Sequence, residues 1–305
     1  MTYPPVVVLG PTASGKSDVA MVVARQVAGV EIIAVDAMQV YRRMDIGTAK
    51  PTVADRTAVP HHGLDLADPG RDFTVHDYRR AYDAALVDIA GRRAGHPLLV
   101  AGTGLYLTAV LDRLELPGRW PDVRADIDAE PAMARLHRRL AELDPLAARR
   151  IEPTNRRRVV RALEVTIGGG RPFSSFGPGV AAFPPISTVQ IGLRWPRPAL
   201  AARIERRVHD MVSSGLLDEV RALRQAGMSA TASQALGYKE LGDHLGGRAT
   251  LDEAVATIVT RTRQFAVRQE RWFRRDPRVR WTDIDPDAPD PLHDARAAVL
   301  EALGQ

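Results

Sequence analysis

The stretch Val6-Val-Val-Leu-Gly10-Pro-Thr-Ala-Ser-Gly15-Lys16-Ser17 decides how the rest of the chain is interpreted. Its last eight residues fit the pattern G-x-x-x-x-G-K-[ST] of a phosphate-binding loop, the P-loop. The apolar residues before the motif predict a buried strand, and Val19–Val27 after it predict a helix. Glycines let consecutive backbone N–H groups point into one concavity, and the helix N-terminus adds partial positive charge. The stretch therefore predicts a site for a di- or triphosphate; the alternative is a glycine-rich turn without a ligand.

Lysine is rare in this chain, and its positions are informative. Of the 42 basic residues only three are lysines, and Lys16 lies inside the P-loop motif. In a P-loop the lysine brings a compact positive charge to a terminal phosphate, and the following hydroxyl, here Ser17, can bind Mg²⁺. The other two lysines, Lys50 and Lys239, fall in segments discussed below, and we predict that all three mark the same site.

The composition limits the classes of protein that are compatible with this chain. Its 305 residues suffice for one large or two modest domains with a substantial core. No apolar stretch reaches 18 residues and residues 1–5 lead directly into the first strand, so we expect neither a membrane-spanning helix nor a signal peptide. The chain has no cysteine, which excludes disulfides and thiolate metal sites and predicts a cytoplasmic protein. The net charge of +5 is compatible with a polyanionic partner without requiring one.

Strand and helix patterns alternate along the first hundred residues. After Val6–Leu9, the apolar runs at Glu31–Val35 and Pro97–Ala101 predict further strands, and Lys16–Ala28 and Asp77–Arg92 predict helices. This alternation is typical of a parallel sheet covered by helices, with ligands at the carboxyl ends of the strands. We predict an α/β core formed by residues 1–115 and 188–305, with an inserted helical domain at 116–187. Within the core's second part, Thr188–Leu193 predicts a strand, Leu200–Gln225 and Leu251–Arg275 predict helices, and residues 283–294 predict surface coil.

The acid expected of a P-loop hydrolase or kinase is missing from its usual place. Such enzymes hold Mg²⁺ with an Asp at the end of a buried strand, whereas Pro97–Ala101 is followed by Gly102-Thr103-Gly104. A carboxylate follows the second strand instead, at Asp36. We interpret Asp36 as a catalytic base beside the phosphates; a helix-capping or turn role is the alternative.

Two concentrations of arginine favour a phosphate backbone as partner. One is Asn155-Arg-Arg-Arg-Val-Val-Arg161, and the other places eight arginines in residues 261–280, with Arg261, Arg268 and Arg275 at heptad spacing. Two such helix faces on one chain are typical of nucleic-acid binding, although each alone is equally compatible with a solvated surface. The pair His61-His62 has no partner at the spacing of metal ligands, so we expect no metal there.

In order along the chain, these segments resemble the tRNA dimethylallyltransferases, the isopentenyl transferases of tRNA, nearly end to end. The segments similar to this family's signatures are Gly10–Ser17, Asp36-Ala-Met-Gln-Val-Tyr41 with Met44-Asp-Ile-Gly-Thr-Ala-Lys-Pro51, Ala101-Gly-Thr-Gly-Leu-Tyr106, Arg161–Val165, Ala235–Lys239 and Thr262–Gln269. The resemblance implies a P-loop core related to nucleotide kinases, in which a parallel sheet is flanked by helices. It also implies that the inserted all-helical domain clamps the anticodon stem-loop.

The resemblance assigns roles to individual residues. Asp36, Thr103 and Lys16 match catalytic positions, Asp36 as general base. The positions that match diphosphate ligands are Gly10, Pro11, Thr12, Ala13, Ser14, Gly15, Lys16, Ser17 and Arg207, with Ser17 also binding Mg²⁺. The positions that match tRNA contacts are Asp36, Ala37, Met38, Gln39, Thr103, Arg124, Arg157, Arg158, Arg161, Gln234, Gly237, Tyr238 and Lys239.

The implied reaction transfers a dimethylallyl group from dimethylallyl diphosphate to N6 of the adenosine 3′ to the anticodon, in tRNAs that read codons starting with U. The implied partners are Mg²⁺, dimethylallyl diphosphate and the tRNA anticodon stem-loop, and we expect a monomer without membrane contact. Two alternatives stay open: an ATP-dependent nucleotide or small-molecule kinase, and a nucleotide-regulated RNA-binding protein without catalysis. The chain departs from the family at Ala37, where many relatives have Ser, at Lys239, where some have Arg, and at Arg43, where Gly is common.

Overall fold

The computed structural model of the protein describes residues 4–92, 95–177 and 179–304. Within these residues one sheet is formed by six parallel strands, in the order β3-β2-β4-β1-β5-β6. The strands are β1 Val6–Leu9, β2 Val30–Val35, β3 His61–His62, β4 His96–Ala101, β5 Val189–Arg194 and β6 Val279–Asp283. The predicted α/β class, a parallel sheet flanked by helices, is therefore confirmed.

Thirteen α-helices lie within the described residues. They are α1 Lys16–Gln26, α2 Val53–Ala58, α3 Val75–Ala90, α4 Gly104–Leu111, α5 Pro121–Asp128, α6 Met133–Leu143, α7 Pro145–Arg150, α8 Arg156–Gly169, α9 Arg197–Ser213, α10 Leu216–Ala226, α11 Tyr238–Leu245, α12 Leu251–Phe273 and α13 His293–Ala302. In the described part of the chain, none of these helices is both long and apolar enough to cross a membrane.

The chain divides into two compact units. One combines the described residues up to Leu111 with those from Pro185 onward and contains the whole sheet; the other, Asp112–Pro184, is helical. The first unit has a core in which β1, β2 and β4 are buried along their whole length, as expected for strands covered by helices on both faces. The second unit has its own core, built around Leu140, Val160 and Leu163.

The strand order places the carboxyl ends of β1, β2 and β4 next to one another. β4 lies between β1 and β2 and pairs with both in parallel. The P-loop follows β1, Asp36 follows β2 and Gly102 follows β4, so that the three loops open at the same edge of the sheet. This edge is where ligands bind in open α/β sheets.

Two expectations about the C-terminal part are refined by the structure, since one helical stretch is interrupted and the predicted coil is shorter. The helical pattern at Leu200–Gln225 is broken into α9 and α10 at Gly215, whose φ of 100° lies in the left-handed region that glycine adopts without strain. The segment 283–294 is not all coil, because Asp283 ends the edge strand β6 and His293 begins α13. Both α13 and the preceding Leu292 pack on the P-loop side of the core.

Candidate active site

The P-loop has the backbone that an anion-binding concavity needs. Ala13 and Gly15 both adopt positive φ, at 63° and 85°. Alternation of left-handed and right-handed residues turns successive N–H groups toward one side of a loop. Gly15 has a second reason to be glycine, because an added Cβ would lie 2.7 Å from Leu292 Cδ1. Ala13 has no such freedom, so the left-handed conformation there is maintained at a cost of about 1 kcal/mol.

Two side chains from the β5–α9 region hold the outer side of this loop. The Trp195 indole donates a hydrogen bond to the Ser14 carbonyl at 2.9 Å, and Arg203 Nε donates to the Ala13 carbonyl at 2.8 Å. The Arg203 guanidinium also lies 4.5 Å from the centre of the Trp195 ring. Both bonds engage loop carbonyl oxygens that point away from the concavity. They therefore favour the loop conformation in which the backbone N–H groups point into it.

Lys16 and Arg207 bring two positive charges to the loop in an environment with little water. Burial first, and the charge of Arg207 second, lower the pKa of Lys16 to about 8, while Asp36 and Asp18 oppose the shift. Burial also lowers the pKa of Arg207, and Arg203 adds to this effect against Asp36 and Asp18. Two cations that repel each other and lack full hydration form a site suited to a multiply charged anion. The structure thus brings Arg207 to the P-loop, as the resemblance implied.

Asp36 is oriented by its own turn. Its Oδ1 accepts hydrogen bonds from the backbone N–H groups of Met38 at 2.8 Å and Gln39 at 3.3 Å. Its Oδ2 faces Gly102, where a Cβ on that glycine would lie 3.0 Å from it. One oxygen therefore fixes the carboxylate and the other points toward the end of β4. This is the arrangement expected of a positioned proton acceptor.

Gly102 occupies the position at the end of β4 where P-loop hydrolases and kinases carry an acid. Its lack of a side chain leaves room for the groups around it. A Cβ at this position would lie 3.5 Å from both Lys16 Cε and Gln269 Nε2, in addition to its contact with Asp36. A side chain here would occupy the space into which the Lys16 and Asp36 side chains extend. The carboxylate near the phosphate site is thus supplied by β2, two strands away from β1 in the sheet.

Thr103 lies beside Asp36 and is connected to the same turn. Its Oγ1 accepts the N–H of Ala37 at 3.0 Å, and its backbone N–H donates to the Val35 carbonyl at 3.1 Å. Since the hydroxyl oxygen accepts one bond, its proton remains to be donated. The structure therefore places Asp36, Thr103 and Lys16, the three predicted catalytic residues, at one edge of the sheet.

Gln269 is a site residue that the sequence interpretation missed. It is 7% exposed and projects from α12. Its Oε1 accepts the N–H of Thr12 at 2.9 Å, and its Nε2 donates to the Gly102 carbonyl at 2.7 Å. The Thr12 N–H is therefore already hydrogen-bonded within the protein. The positive charge at the loop comes from the Lys16 and Arg207 side chains. Gln269 is the last residue of Thr262–Gln269, a segment that resembles a family signature. This resemblance could have identified it as a site residue from the sequence.

The segment that follows Asp36 is held in place by hydrogen bonds within its own unit. Gln39 Nε2 donates to the Thr48 and Ala49 carbonyls, at 3.0 and 3.2 Å. Lys50 is buried, and its ammonium donates to Asp45, Asp65 and the Tyr41 carbonyl. All three of its donors are used, so Lys50 holds this segment together and does not mark the phosphate site as predicted.

A carboxylate from α10 fixes the same segment at its far end. The Glu219 carboxylate accepts the successive N–H groups of Asp45, Ile46 and Gly47, at 2.9, 2.8 and 3.2 Å. It also accepts the Tyr238 hydroxyl at 2.6 Å, and burial together with this carboxylate raises the pKa of that hydroxyl. Tyr238 is buried, so its side chain supports Gly47, and any contact with RNA would be made by its neighbours.

The remaining residues predicted near α11 differ in their accessibility. Gln234 is exposed just before α11, whereas Gly237 is buried and adopts a φ of 88° at the helix N-terminus. Lys239 Nζ is half-buried and pairs with Asp243 at 3.1 Å on the helix surface. Of the three lysines, only Lys16 lies at the P-loop.

In the helical unit, the predicted arginines fall into two groups. Arg124 and Arg161 pair with Glu164, whose carboxylate is buried, at 3.4 and 2.9 Å; Arg161 also donates to the Pro117 and Gly118 carbonyls. Arg157 and Arg158 are exposed at the start of α8, and no ion pair is found for either among the described residues. The first two arginines stabilise this unit, while the second two present their charge to solvent.

The arginine face predicted on α12 is only partly free. Arg261 pairs with the buried Glu240 at 2.6 Å. Arg268 and Arg275 are exposed and lie over the rings of Phe265 and Trp272, at 5.8 and 5.2 Å from the ring centres. Among the described residues, no ion pair is found for Arg268 or Arg275, at two of the three heptad positions.

A magnesium ion fits this site only as a companion of the phosphate. In the described parts of the chain, no group of three or more His, Cys, Asp or Glu side chains is placed to hold a metal ion. Ser17, the predicted protein ligand, is exposed in the first turn of α1. Because Mg²⁺ at phosphate sites takes few protein ligands and completes its shell with phosphate oxygens and water, this sparse donor set is compatible with it.

Comparison with known proteins identifies close relatives over nearly the whole chain. The profile of the family described as IPP transferase matches residues 39–276, and that described as isopentenyl transferase matches residues 5–60. The chain is 49% identical to the tRNA dimethylallyltransferase of Thermobifida fusca (strain YX), covering 97% of this chain and 94% of the relative. It is 48% identical to that of Streptomyces coelicolor, covering 90% and 89%.

Solved structures give the same result. The full-length tRNA isopentenylpyrophosphate transferase of Bacillus halodurans superposes with a TM-score of 0.71 at 37% identity, covering 99% of this chain and 97% of that one. A eukaryotic dimethylallyltransferase acting on tRNA superposes with a TM-score of 0.80 at 26% identity, covering 98% and 79%.

Proposed function

The chain belongs to the IPP transferase family, whose members are prenyl-transferring enzymes, and we propose that it modifies tRNA. In this proposal it transfers the dimethylallyl group of dimethylallyl diphosphate to N6 of the adenosine 3′ to the anticodon. The tRNAs are those that read codons starting with U. The observation that carries the proposal is the placement of the Asp36 carboxylate across Gly102 from Lys16, with the P-loop beside both.

The proposed step needs a proton acceptor and a stabilised leaving group at the same time. A bond forms between N6 and the allylic carbon, while the bond from that carbon to the diphosphate oxygen breaks and its electron pair leaves with the diphosphate. The N6 proton goes to Asp36 Oδ2, the oxygen that faces Gly102. Lys16, Arg207 and the inward amides of the P-loop stabilise the negative charge that develops on the leaving group.

Mg²⁺ is part of the proposal as a partner of the diphosphate. Ser17 would supply the protein oxygen, and the ion would neutralise charge on the leaving group when bound. The sparse protein donor set supports this role over that of a resident metal cofactor.

Each unit has its own proposed tRNA-binding surface. In the sheet-containing unit it includes Asp36–Gln39, Thr103 and Gln234–Lys239. In the helical unit, which we predicted as an inserted domain at 116–187, it includes Arg157 and Arg158. We propose that this unit binds the anticodon stem-loop, because its exposed arginines suit a phosphate backbone. Arg124, Arg161 and Tyr238 contribute by shaping these surfaces.

Transfer of label is the direct test. Purified protein is incubated with Mg²⁺, radiolabelled dimethylallyl diphosphate and unmodified tRNA, and the label in tRNA is measured. We expect transfer by the native protein and a loss of at least about 10²-fold in Asp36→Asn, with tRNA affinity changed little. Hydrolysis of ATP without transfer would favour the kinase alternative. Equal loss of transfer and tRNA binding in Asp36→Asn would contradict the general-base role.

A further inference from the structure

Gln269 joins two loops that carry different parts of the proposed reaction. It accepts from the Thr12 N–H of the P-loop and donates to the Gly102 carbonyl at the end of β4. The orientation of its amide is determined by these partners, because Thr12 presents a donor and Gly102 presents an acceptor. No other side chain among the described residues bonds both of these backbone groups.

Each of the two loops is rigidly connected to reacting groups. Thr12 is four residues before Lys16, within the loop proposed to hold the diphosphate. On the other side, the N–H groups of Gly102 and Thr103 both donate to the Val35 carbonyl, immediately before Asp36. A displacement of Gly102 relative to Thr12 would therefore change the distance between the proton acceptor and the leaving group.

We propose that Gln269 is a positioning residue that sets the spacing between the diphosphate-binding loop and the side of the site that carries Asp36 and Thr103. This inference rests on the proposed function. Transfer needs N6, the allylic carbon and the leaving oxygen in one line, with N6 beside the carboxylate. Misplacement of reacting groups by about 1 Å costs about 10²-fold in rate. Gln269 thus acts on the chemical step more than on the binding of either substrate.

Gln269→Met tests this, since it preserves the volume of the side chain and removes both hydrogen bonds. We expect kcat for prenyl transfer to fall about 10- to 100-fold, with the affinities for inorganic pyrophosphate and tRNA changed less than about threefold. Gln225→Met on α10 is the matched control, because that glutamine is exposed and lies outside the site. A loss of pyrophosphate affinity with unchanged kcat would show that Gln269 serves binding, and unchanged kinetics would show that the two bonds are unimportant. Either result overturns the proposal.

Gln269→Glu provides a readout that a general loss of stability does not produce. A protonated glutamic acid can accept from Thr12 and donate to Gly102, whereas the carboxylate can only accept. We therefore expect the ratio of variant to native kcat to rise as the pH is lowered from 8 to about 5.5. The charged side chains of Lys16 and Asp36 lie around Gly102 beside Gln269, and Arg207 acts on Lys16; since all three are the same in both proteins, taking the ratio at each pH removes their common effect. A ratio independent of pH would contradict the positioning role.

The same assays separate this inference from the proposed function. If the native protein transfers no label to tRNA, the proposed function fails. If the native protein transfers label and Gln269→Met transfers it at the same rate, the function stands and the positioning role fails.

Discussion

Replacing Lys16 by methionine should stabilise the protein that has no ligand while removing its affinity for diphosphate. Burial and Arg207 lower the pKa of Lys16 to about 8, from an ordinary value of 10.5. When folding lowers the pKa of a lysine, the protonated lysine destabilises the folded state. Each pKa unit of the shift corresponds to about 1.4 kcal/mol of unfolding free energy. The full shift gives about 3 kcal/mol, and the partial exposure of the side chain reduces this to about 2 kcal/mol.

The pH dependence gives the sign of the effect. Below pH 8 both the folded and the unfolded chain carry the charge, and the destabilisation is fully present. As the pH rises from 8 toward 10.5, the folded state loses the proton first and the native protein regains stability. Lys16→Met should therefore be more stable than the native protein by about 2 kcal/mol at pH 7, and the difference should shrink by pH 9.5.

Urea unfolding at pH 7 and pH 9.5 measures both quantities. Lys239→Met is the control, because that lysine is paired with Asp243 at a helix surface and should change stability by less than about 0.5 kcal/mol at either pH. Added inorganic pyrophosphate with Mg²⁺ should raise the midpoint of the native protein and leave that of Lys16→Met unchanged. A Lys16→Met protein that is no more stable than the native one at pH 7 would show that the buried Lys16 charge does not destabilise the fold.

Further predictions concern the loops and the arginine surface. Arg43→Gly should raise the free energy of unfolding by about 0.5–1 kcal/mol in urea titrations, because Arg43 is exposed and has a φ of 62°, a conformation that glycine adopts freely. Glu219→Gln should lower it by about 1–3 kcal/mol, since three backbone N–H groups lose a charged acceptor; no loss would mean that the segment at Asp45 is held by other contacts. Replacing Arg157 and Arg158 together by alanine should reduce the slope of log tRNA affinity against log salt by about 1–2, measured by filter binding, with a thermal midpoint close to that of the native protein. An unchanged slope of log affinity against log salt would show that these two arginines do not contact tRNA phosphates.

The departures from the family pattern have different structural meanings. Arg43 stands where glycine is common, and its left-handed backbone explains that preference directly. At Ala37 the backbone N–H donates to Thr103 Oγ1, so the absence of a side-chain hydroxyl leaves this contact intact. Lys239 is paired with Asp243. The sequence marked these positions as unusual, and the backbone conformation explains the first of them.

Strands with a strong local sequence pattern were predicted well. Strands and helix boundaries that depend on contacts with other segments of the chain were not. The strands β1, β2, β4 and β5 were found within one residue at each end, because they are apolar runs next to turn residues. The strand β6 was missed, since Val279-Arg-Trp-Thr-Asp283 has few apolar residues and forms only by pairing with β5. The break at Gly215 was missed because the helical pattern continues on both sides of it.

The sequence alone predicts the phosphate site, since a P-loop is encoded in eight adjacent residues after a strand. It also determined that a carboxylate, Asp36, follows a different strand from the one that usually carries it. How these parts meet depends on the fold, which brings distant segments of the chain together. The order of the strands brings Asp36 to Gly102 and Lys16, and the bond between Thr12 and Gln269 joins residues that are 257 positions apart. A contact between distant residues leaves no local pattern in either segment, so Gln269 and Glu219 emerged only from the fold.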